Sequence, residues 1–392
     1  MTKEFDVVRD RRQSNSVKWD GLETLYGEAD LLAMWVADMD FDPAPAIKER
    51  LTNLASEQVL GYVLPPETLF ETYIDWQREQ HQIELKKEEI LFSPGVVGSI
   101  GVIIQAFTEQ GDGVLIHDPA YNGFTPIIED NHRKLERSPL QIENGKFKMD
   151  FEDIEHQFKG NNIKVFLLSN PHNPGGRVWT KDELTQLMDL CVEYDVLLVS
   201  DEIHSDLIYS DQTMISAYTL DEKYFDHIIL LHSPTKTFNL AGAKVSTIVV
   251  KDPELRKQIK EVQSYTQQGT INTFGLVAME AAFGESQEWH KNLLKYLEEN
   301  RNYIINFFDE HLPEVEYMVP ESTYLMWFNA ESIGLSGEEL NQHFVKEGQI
   351  ALVNGQKYGK SSPIWTRLNF GTSRENLEDG LNRIKKAFEK AK

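Results

Sequence analysis

The stretch 231–242, LHSPTKTFNLAG, closes an apolar run with hydroxyls and then presents a lysine, Lys236. A surface lysine needs no such setting. An amine placed this way can form an imine with a carbonyl compound or, when free, take a proton from carbon. Other reactive side chains follow other apolar runs. His117-Asp-Pro-Ala-Tyr121 follows the run at 114–116, and Ser169-Asn-Pro-His-Asn173-Pro-Gly follows the run at 164–168. Ser200-Asp201-Glu-Ile-His204 follows the run at 196–199. Taken singly, Asn173 reads as a turn residue, Asp201 as a cap or ion-pair partner and Tyr121 as packing. Their shared placement is what gives them a chemical reading.

Short apolar runs that alternate with helical patterns indicate a parallel sheet wrapped by helices. Runs at 228–231 and 246–250 complete the set. Ligands of such sheets bind beyond the carboxyl ends of the strands, and Tyr121, Asn173, Asp201, His204 and Lys236 all fall there. Thr180 and Glu183 form a capping box. It opens a helix with Leu184, Leu187, Met188 and Cys191 at helical spacing, so Cys191 reads as core. From about residue 290 the texture changes: a charged helical pattern over 289–310 precedes apolar runs at 324–328, 350–353 and 364–370. The expected fold is therefore α/β, a large domain with a mostly parallel sheet between helices plus a smaller α+β domain. The divisions fall at 1–45 (a segment packing with the small domain), 46–289 (the large domain) and 290–392 (the small domain).

A chain of 392 residues has room for two cores. Its net charge of −24 argues against a nucleic-acid surface, which needs clustered Lys and Arg. A single cysteine fits a reducing compartment. The polar first 20 residues lack a signal-peptide core, and no run approaches the roughly 20 apolar residues of a membrane span. A cytoplasmic protein is expected. There is no G-x-S-x-G, H-E-x-x-H or C-x-x-C, and the histidines show no metal-ligand spacing. Gly355-Gln-Lys-Tyr-Gly359-Lys-Ser361 has three residues between its glycines where a phosphate-binding loop needs four, so it reads as a turn.

One cofactor asks for the set at the sheet edge. Pyridoxal phosphate needs a lysine amine for its Schiff base, an acid against its pyridinium nitrogen, and partners for its ring face, phenolic oxygen and phosphate. Ser93-Pro-Gly95-Val96-Val97-Gly98 precedes Ile100, Ile104 and Phe107 at helical spacing. Free N–H groups at that helix start would face an anion.

Ser169-Asn-Pro-His-Asn-Pro-Gly-Gly176, Asp201-Glu-Ile-His204 and Ser233-Pro-Thr-Lys-Thr-Phe-Asn-Leu-Ala-Gly242 resemble fold-type I pyridoxal-phosphate enzymes of the class I/II aminotransferase superfamily. More narrowly, the chain resembles the cystathionine β-lyase, or C–S lyase, branch. Trp35-Val-Ala-Asp-Met-Asp-Phe41, Gly61-Tyr62, Ser93-Pro-Gly-Val-Val97 and Thr366-Arg-Leu-Asn-Phe370 extend the match from about residue 30 to the end. The resemblance implies Lys236 as the Schiff-base lysine and Tyr121 as its catalytic companion stacked on the ring. It implies Asp201 at the pyridinium nitrogen, and Asn173 at the phenolic oxygen with His204 nearby. Gly95, Val96, Val97 and Ser233 would hold the phosphate, with Lys244 in support and Tyr62 lent by a second subunit of a homodimer. Arg367 would clamp the substrate carboxylate, with Ala37, Asn173 and Tyr62 also at the substrate. Two departures from the aminotransferase pattern stand out. His204 replaces a tyrosine, as the C–S lyase branch does, and Lys244 replaces an arginine, keeping charge without the planar fork.

The activity implied is β-elimination on a sulfur amino acid, releasing a thiol, pyruvate and ammonia. The alternatives are an amino-acid aminotransferase using the same cofactor and a regulatory protein binding a transcription factor, because a member of this branch resembles such a dual-role protein.

Overall fold

The computed structural model describes residues 4–391. Seven strands build the large sheet: β1 (Ile90–Ser93), β2 (Gly113–Asp118), β3 (Lys134–Pro139), β4 (Ile163–Ser169), β5 (Leu197–Asp201), β6 (Ile228–His232) and β7 (Ser246–Val249). Their spatial order is β1-β7-β6-β5-β4-β2-β3. The pairings from β6 across to β3 are all parallel. The run at 246–250, expected within the parallel set, instead lies antiparallel to both its neighbours. The reason is the connection before it. One helical turn and a short 3₁₀ turn fill the chain between β6 and β7, so no crossover helix carries it back to the far end of the sheet.

Side chains along the strands alternate between two buried clusters. Val165 and Leu167 join Val114, Ile116 and Leu231 on one face, whereas Phe166 and Leu168 join Leu115, Leu198 and Leu230 on the other. Both faces are covered, which is why these strands read as unbroken apolar runs. The covering helices include α1 (Pro45–Glu57), α2 (Glu67–His81), α3 (Val96–Phe107), α4 (Lys181–Glu193) and α6 (Thr273–Glu285), while α5 (Pro234–Thr237) is the single turn that carries Lys236. The capping box of α4 forms as its sequence requires: Glu183 N–H donates to Thr180 Oγ1 at 3.2 Å, and Thr180 N–H donates to the Glu183 carboxylate at 2.8 Å. Leu184, Leu187, Met188 and Cys191 are fully buried beneath it, and burial raises the Cys191 thiol well above its ordinary value.

The long helix α7 (Gln287–His311) leads into an antiparallel sheet of β8 (Tyr317–Met318), β9 (Leu325–Asn329), β10 (Val353–Asn354) and β11 (Trp365–Asn369), backed by α8 (Arg374–Ala391). The single run expected at 350–353 is split. Ile350–Ala351 pairs in parallel with Leu32–Ala33, and β10 joins the small sheet. Near the N-terminus, Phe5 is buried among Phe41, Trp289 and Tyr296. No helix among the described residues is long and apolar enough to cross a membrane.

The loop between β10 and β11 reaches over to the large sheet. Ala120 N–H donates to the Tyr358 carbonyl at 3.0 Å, and Ser361 Oγ donates to Asp118 Oδ1 at 2.7 Å. A methyl group on Gly359 would lie 1.7 Å from Asp118 Oδ1. Gly359→Ala must therefore displace either the Asp118 carboxylate, with its bond from Ser361, or the loop itself. Overpacking of this kind costs about 1–3 kcal/mol, so calorimetry is expected to show Tm a few degrees lower than in the parent; an unchanged Tm would mean that this contact yields freely.

Candidate active site

Lys236 owes its position to α5. Ser233 caps that turn by accepting from Thr235 N–H at 3.2 Å, and Pro234 occupies the first helical position. The abrupt change from strand to helix projects the lysine at the sheet edge. Its Nζ donates to the Ala37 carbonyl at 2.6 Å, and Tyr324 Oη donates to the same carbonyl at 3.0 Å. Burial and the neighbouring Arg367 lower the Lys236 amine to about 8, which brings it near the range where a base works at neutral pH.

A cavity of about 240 Å³ opens beside this amine, and Tyr121, Asn173, Asp201, His204 and Lys244 line it with Lys236. Residues expected together from four separate stretches of chain thus meet in one place. Asp201 sits at the end of β5 and is buried, with Ile203 N–H donating to its Oδ1 at 3.2 Å. Burial pushes its carboxyl up to about 7 despite that bond and Lys236. Burial, with Lys236 and Arg367 nearby, holds His204 well below its ordinary value, so the imidazole is neutral. Its Nδ1 is buried without a protein partner. Tyr121 meets Phe124 edge-on. Gly123 permits this pose, since a Cβ there would approach the Tyr121 ring to 2.5 Å.

The Asp201 environment has a testable sign. The folded carboxyl titrates at about 7 and an unperturbed one at 3.8. Between those values the folded chain binds the extra proton, so this group's contribution to stability falls as pH rises. Asp201→Asn lacks the effect. In denaturant titrations of cofactor-free protein, the variant is expected to gain on the parent by roughly 2–4 kcal/mol between about pH 4 and pH 7. A difference that stays flat with pH would remove the buried, protonated Asp201.

The start of a helix forms another part of the wall. Gly95, at φ +110°, makes the turn into α3, a conformation that L side chains rarely adopt. Residues 95–98 line the cavity where the first-turn N–H groups of this 12-residue helix begin. Thr235 and Lys244 line it too. Ser233, expected at the phosphate, is not part of the wall. Its hydroxyl donates to the Val245 carbonyl at 2.6 Å and caps α5, and Thr235, two residues on, supplies the hydroxyl-bearing side chain. Tyr62 lies outside the cavity, fully exposed on a loop where Val59 and Leu64 are also exposed.

Arg367 comes from β11 and is buried. Its Nη1 donates to Asn173 Oδ1 at 3.0 Å and its Nη2 to the Trp35 carbonyl at 2.8 Å, with the guanidinium 5.0 Å from the centre of the Tyr358 ring. The segment 35–41 that carries Ala37 is gripped from several sides. Asn369 donates to the Val36 and Asp38 carbonyls, and Asn239 accepts from Met39 N–H and donates to the Met39 and Phe41 carbonyls. Asp40 is buried against Lys18 at 2.8 Å, Arg11 at 2.9 Å and Trp19 Nε1 at 3.0 Å. Sequence reasoning missed Thr235, Tyr324, Tyr358, Asn239 and Asn369, because each lies in a stretch that reads as strand or turn. His172, in the same 169–175 stretch as Asn173, faces the Pro119 carbonyl at 2.9 Å between Phe147 and Trp179, and burial pushes it down to about 4.

A primary amine, a buried acid, and a helix start facing the same cavity are the contacts that pyridoxal phosphate needs. Together with the sheet, they define a fold-type I pyridoxal-phosphate site. The chain matches the family "Aminotransferase class I and II" over residues 29–384 and belongs to it. Among its relatives, cystathionine beta-lyase PatB of Bacillus subtilis is 38% identical, the match covering 98% of this chain and 99% of PatB. Cystalysin from Treponema denticola, whose crystal structure contains pyridoxal 5′-phosphate, superposes with a TM-score of 0.95 at 31% identity, over 99% of each chain. The PLP-bound C–S lyase from Staphylococcus hominis superposes with a TM-score of 0.91 at 30% identity, over 98% of this chain and 97% of that one.

Proposed function

We propose that this chain is a pyridoxal-phosphate-dependent carbon–sulfur lyase. It cleaves cystathionine or a related sulfur amino acid by α,β-elimination to a thiol, pyruvate and ammonia. The observation that carries the reading is the single cavity in which the Lys236 amine meets Asp201, Asn173 and the start of α3, with Arg367 bonded to Asn173. Its relatives' names, and His204 where aminotransferases carry tyrosine, favour elimination over transamination.

Lys236 would hold the cofactor's aldehyde carbon, Asp201 its ring nitrogen, and the start of α3 with Lys244 its phosphate. When bound, pyridoxal phosphate supplies an electron sink for the pair left on Cα as its proton departs. Arg367 pairs its fork with the substrate α-carboxylate and fixes which Cα bond faces the amine. Lys236 Nζ, once free, takes the Cα proton as general base, and the Ala37 carbonyl orients it. Asp201 would keep a proton on the ring nitrogen by supplying the opposing charge. Tyr121, which lines the cavity, would cover one face of the ring and exclude water from it. The Cβ–S bond then breaks with the electron pair leaving on sulfur, and one water balances the release of pyruvate and ammonia. Tyr62, exposed in one chain, completes the site of a second copy in a homodimer, and the single cysteine favours a reducing, cytoplasmic setting.

Incubating holoenzyme with cystathionine, without any 2-oxo acid, tests the assignment. Stoichiometric thiol and pyruvate support it. Turnover that requires an added 2-oxo acid, with no thiol released, would make the protein an aminotransferase.

A further inference from the structure

Six residues carry the chain from Asp201 to Asp206. The Asp206 carboxylate is fully buried and receives four donors. Trp76 Nε1 and His81 Nε2 reach Oδ1 at 2.9 and 2.7 Å, while His232 Nε2 and Thr237 Oγ1 each reach Oδ2 at 3.1 Å. Its main-chain carbonyl accepts from His290 Nε2 at 2.7 Å. Gln77 Nε2 faces His232 Nδ1 at 3.1 Å, so Nδ1 accepts there and the ring proton lies on Nε2, pointing at Asp206. Burial alone would raise the carboxyl, but His232 and His81 hold it well below its ordinary value. An ionised carboxylate in a dry core is costly, and apolar residues would fill the space with less penalty. Its use lies in what it grips: β6 just before Lys236 and α5 just after it.

We propose that Asp206 is a positioning residue that fixes Lys236 through Thr237. A single helical turn does not hold itself in water, so α5 needs an outside anchor. The same short segment begins with Asp201. It thus sets the distance between the acid and the amine expected at opposite ends of the cofactor ring, an inference that rests on the pyridoxal-phosphate reading. His81, Asp206 and His232 are also close enough together to suggest a metal site. The hydrogen bonds point the other way, because the carboxylate is saturated by donors and both Nε2 atoms are spent on it.

The test compares cofactor-loaded Thr237→Val, Thr237→Ser and Asp206→Asn with the parent. Thr237→Val is expected to keep cofactor content and KM while kcat falls roughly 10- to 100-fold. The pH midpoint of the bound cofactor's visible absorbance should move by about half a unit or more. Thr237→Ser should restore both, and Asp206→Asn should shift the same midpoint. Parental kcat and midpoint in Thr237→Val would overturn the proposal, and so would equal losses in the Val and Ser variants, which would indicate packing alone. About one zinc per chain in the purified parent, lost in His81→Ala, would replace the anchor with a metal site. A parent without lyase activity whose midpoint still shifts in Thr237→Val would support the anchor and overturn only the assigned reaction.

Discussion

Lys236→Ala is expected to lower pyruvate release from cystathionine by roughly 10⁴-fold or more. In the proposed reaction two functions would depend on this one amine: holding the cofactor covalently and removing the Cα proton. Removing it takes away both at once, and no other amine in the cavity stands as Lys236 does against the Ala37 carbonyl. The fold should persist, because Tyr324 still donates to Ala37 and α5 keeps its Ser233 cap. The expected protein therefore has parental circular dichroism and takes up the cofactor only reversibly. Activity within tenfold of the parent would show that another group serves as base, and the lysine would lose its central role.

The second large effect belongs to Arg367. Arg367→Met should lower kcat/KM by about two to three orders of magnitude, near 3–4 kcal/mol, as expected when one partner of a buried hydrogen-bonded charge pair is removed. Most of the change should fall on KM, because in the proposed reaction the fork would hold the substrate carboxylate before and during the chemical step. Arg367→Lys should recover little. A point charge cannot replace the planar fork that bonds Asn173 Oδ1 and the Trp35 carbonyl while resting on Tyr358. Steady-state kinetics on one sulfur amino acid decide the matter, and an unmoved KM in both variants would place the carboxylate elsewhere.

The strands β2, β4, β5 and β6 were legible because burial on both faces writes them as continuous apolar runs, and the residues just past the end of each run form the ligand edge. The cavity residues could be read for the same reason: Tyr121, Asn173, Asp201 and Lys236 each lie just beyond a legible strand or at its last residue. The direction of β7 was hidden. An antiparallel return and a parallel one look alike in composition, and only the missing crossover helix separates them. Which of Ser233 and Thr235 lines the cavity was not legible either, since either hydroxyl can cap a helix or face a cavity. The Asp206 cluster was invisible because its donors come from residues 76, 81, 232 and 237, positions joined by folding and not by spacing.

The grip on segment 35–41 bears on how the protein is handled. Its outer support is the N-terminal stretch, where Arg11, Lys18 and Trp19 converge on Asp40. Arg12 and the three residues after it are exposed, which is where a trypsin-like protease finds its substrate. One cut there would leave every cavity side chain in place and loosen the carbonyl against which Lys236 rests. Such a nick would leave a sample that looks intact by size and shape yet turns over slowly, and N-terminal sequencing is the assay that separates clipped protein from a defective catalyst.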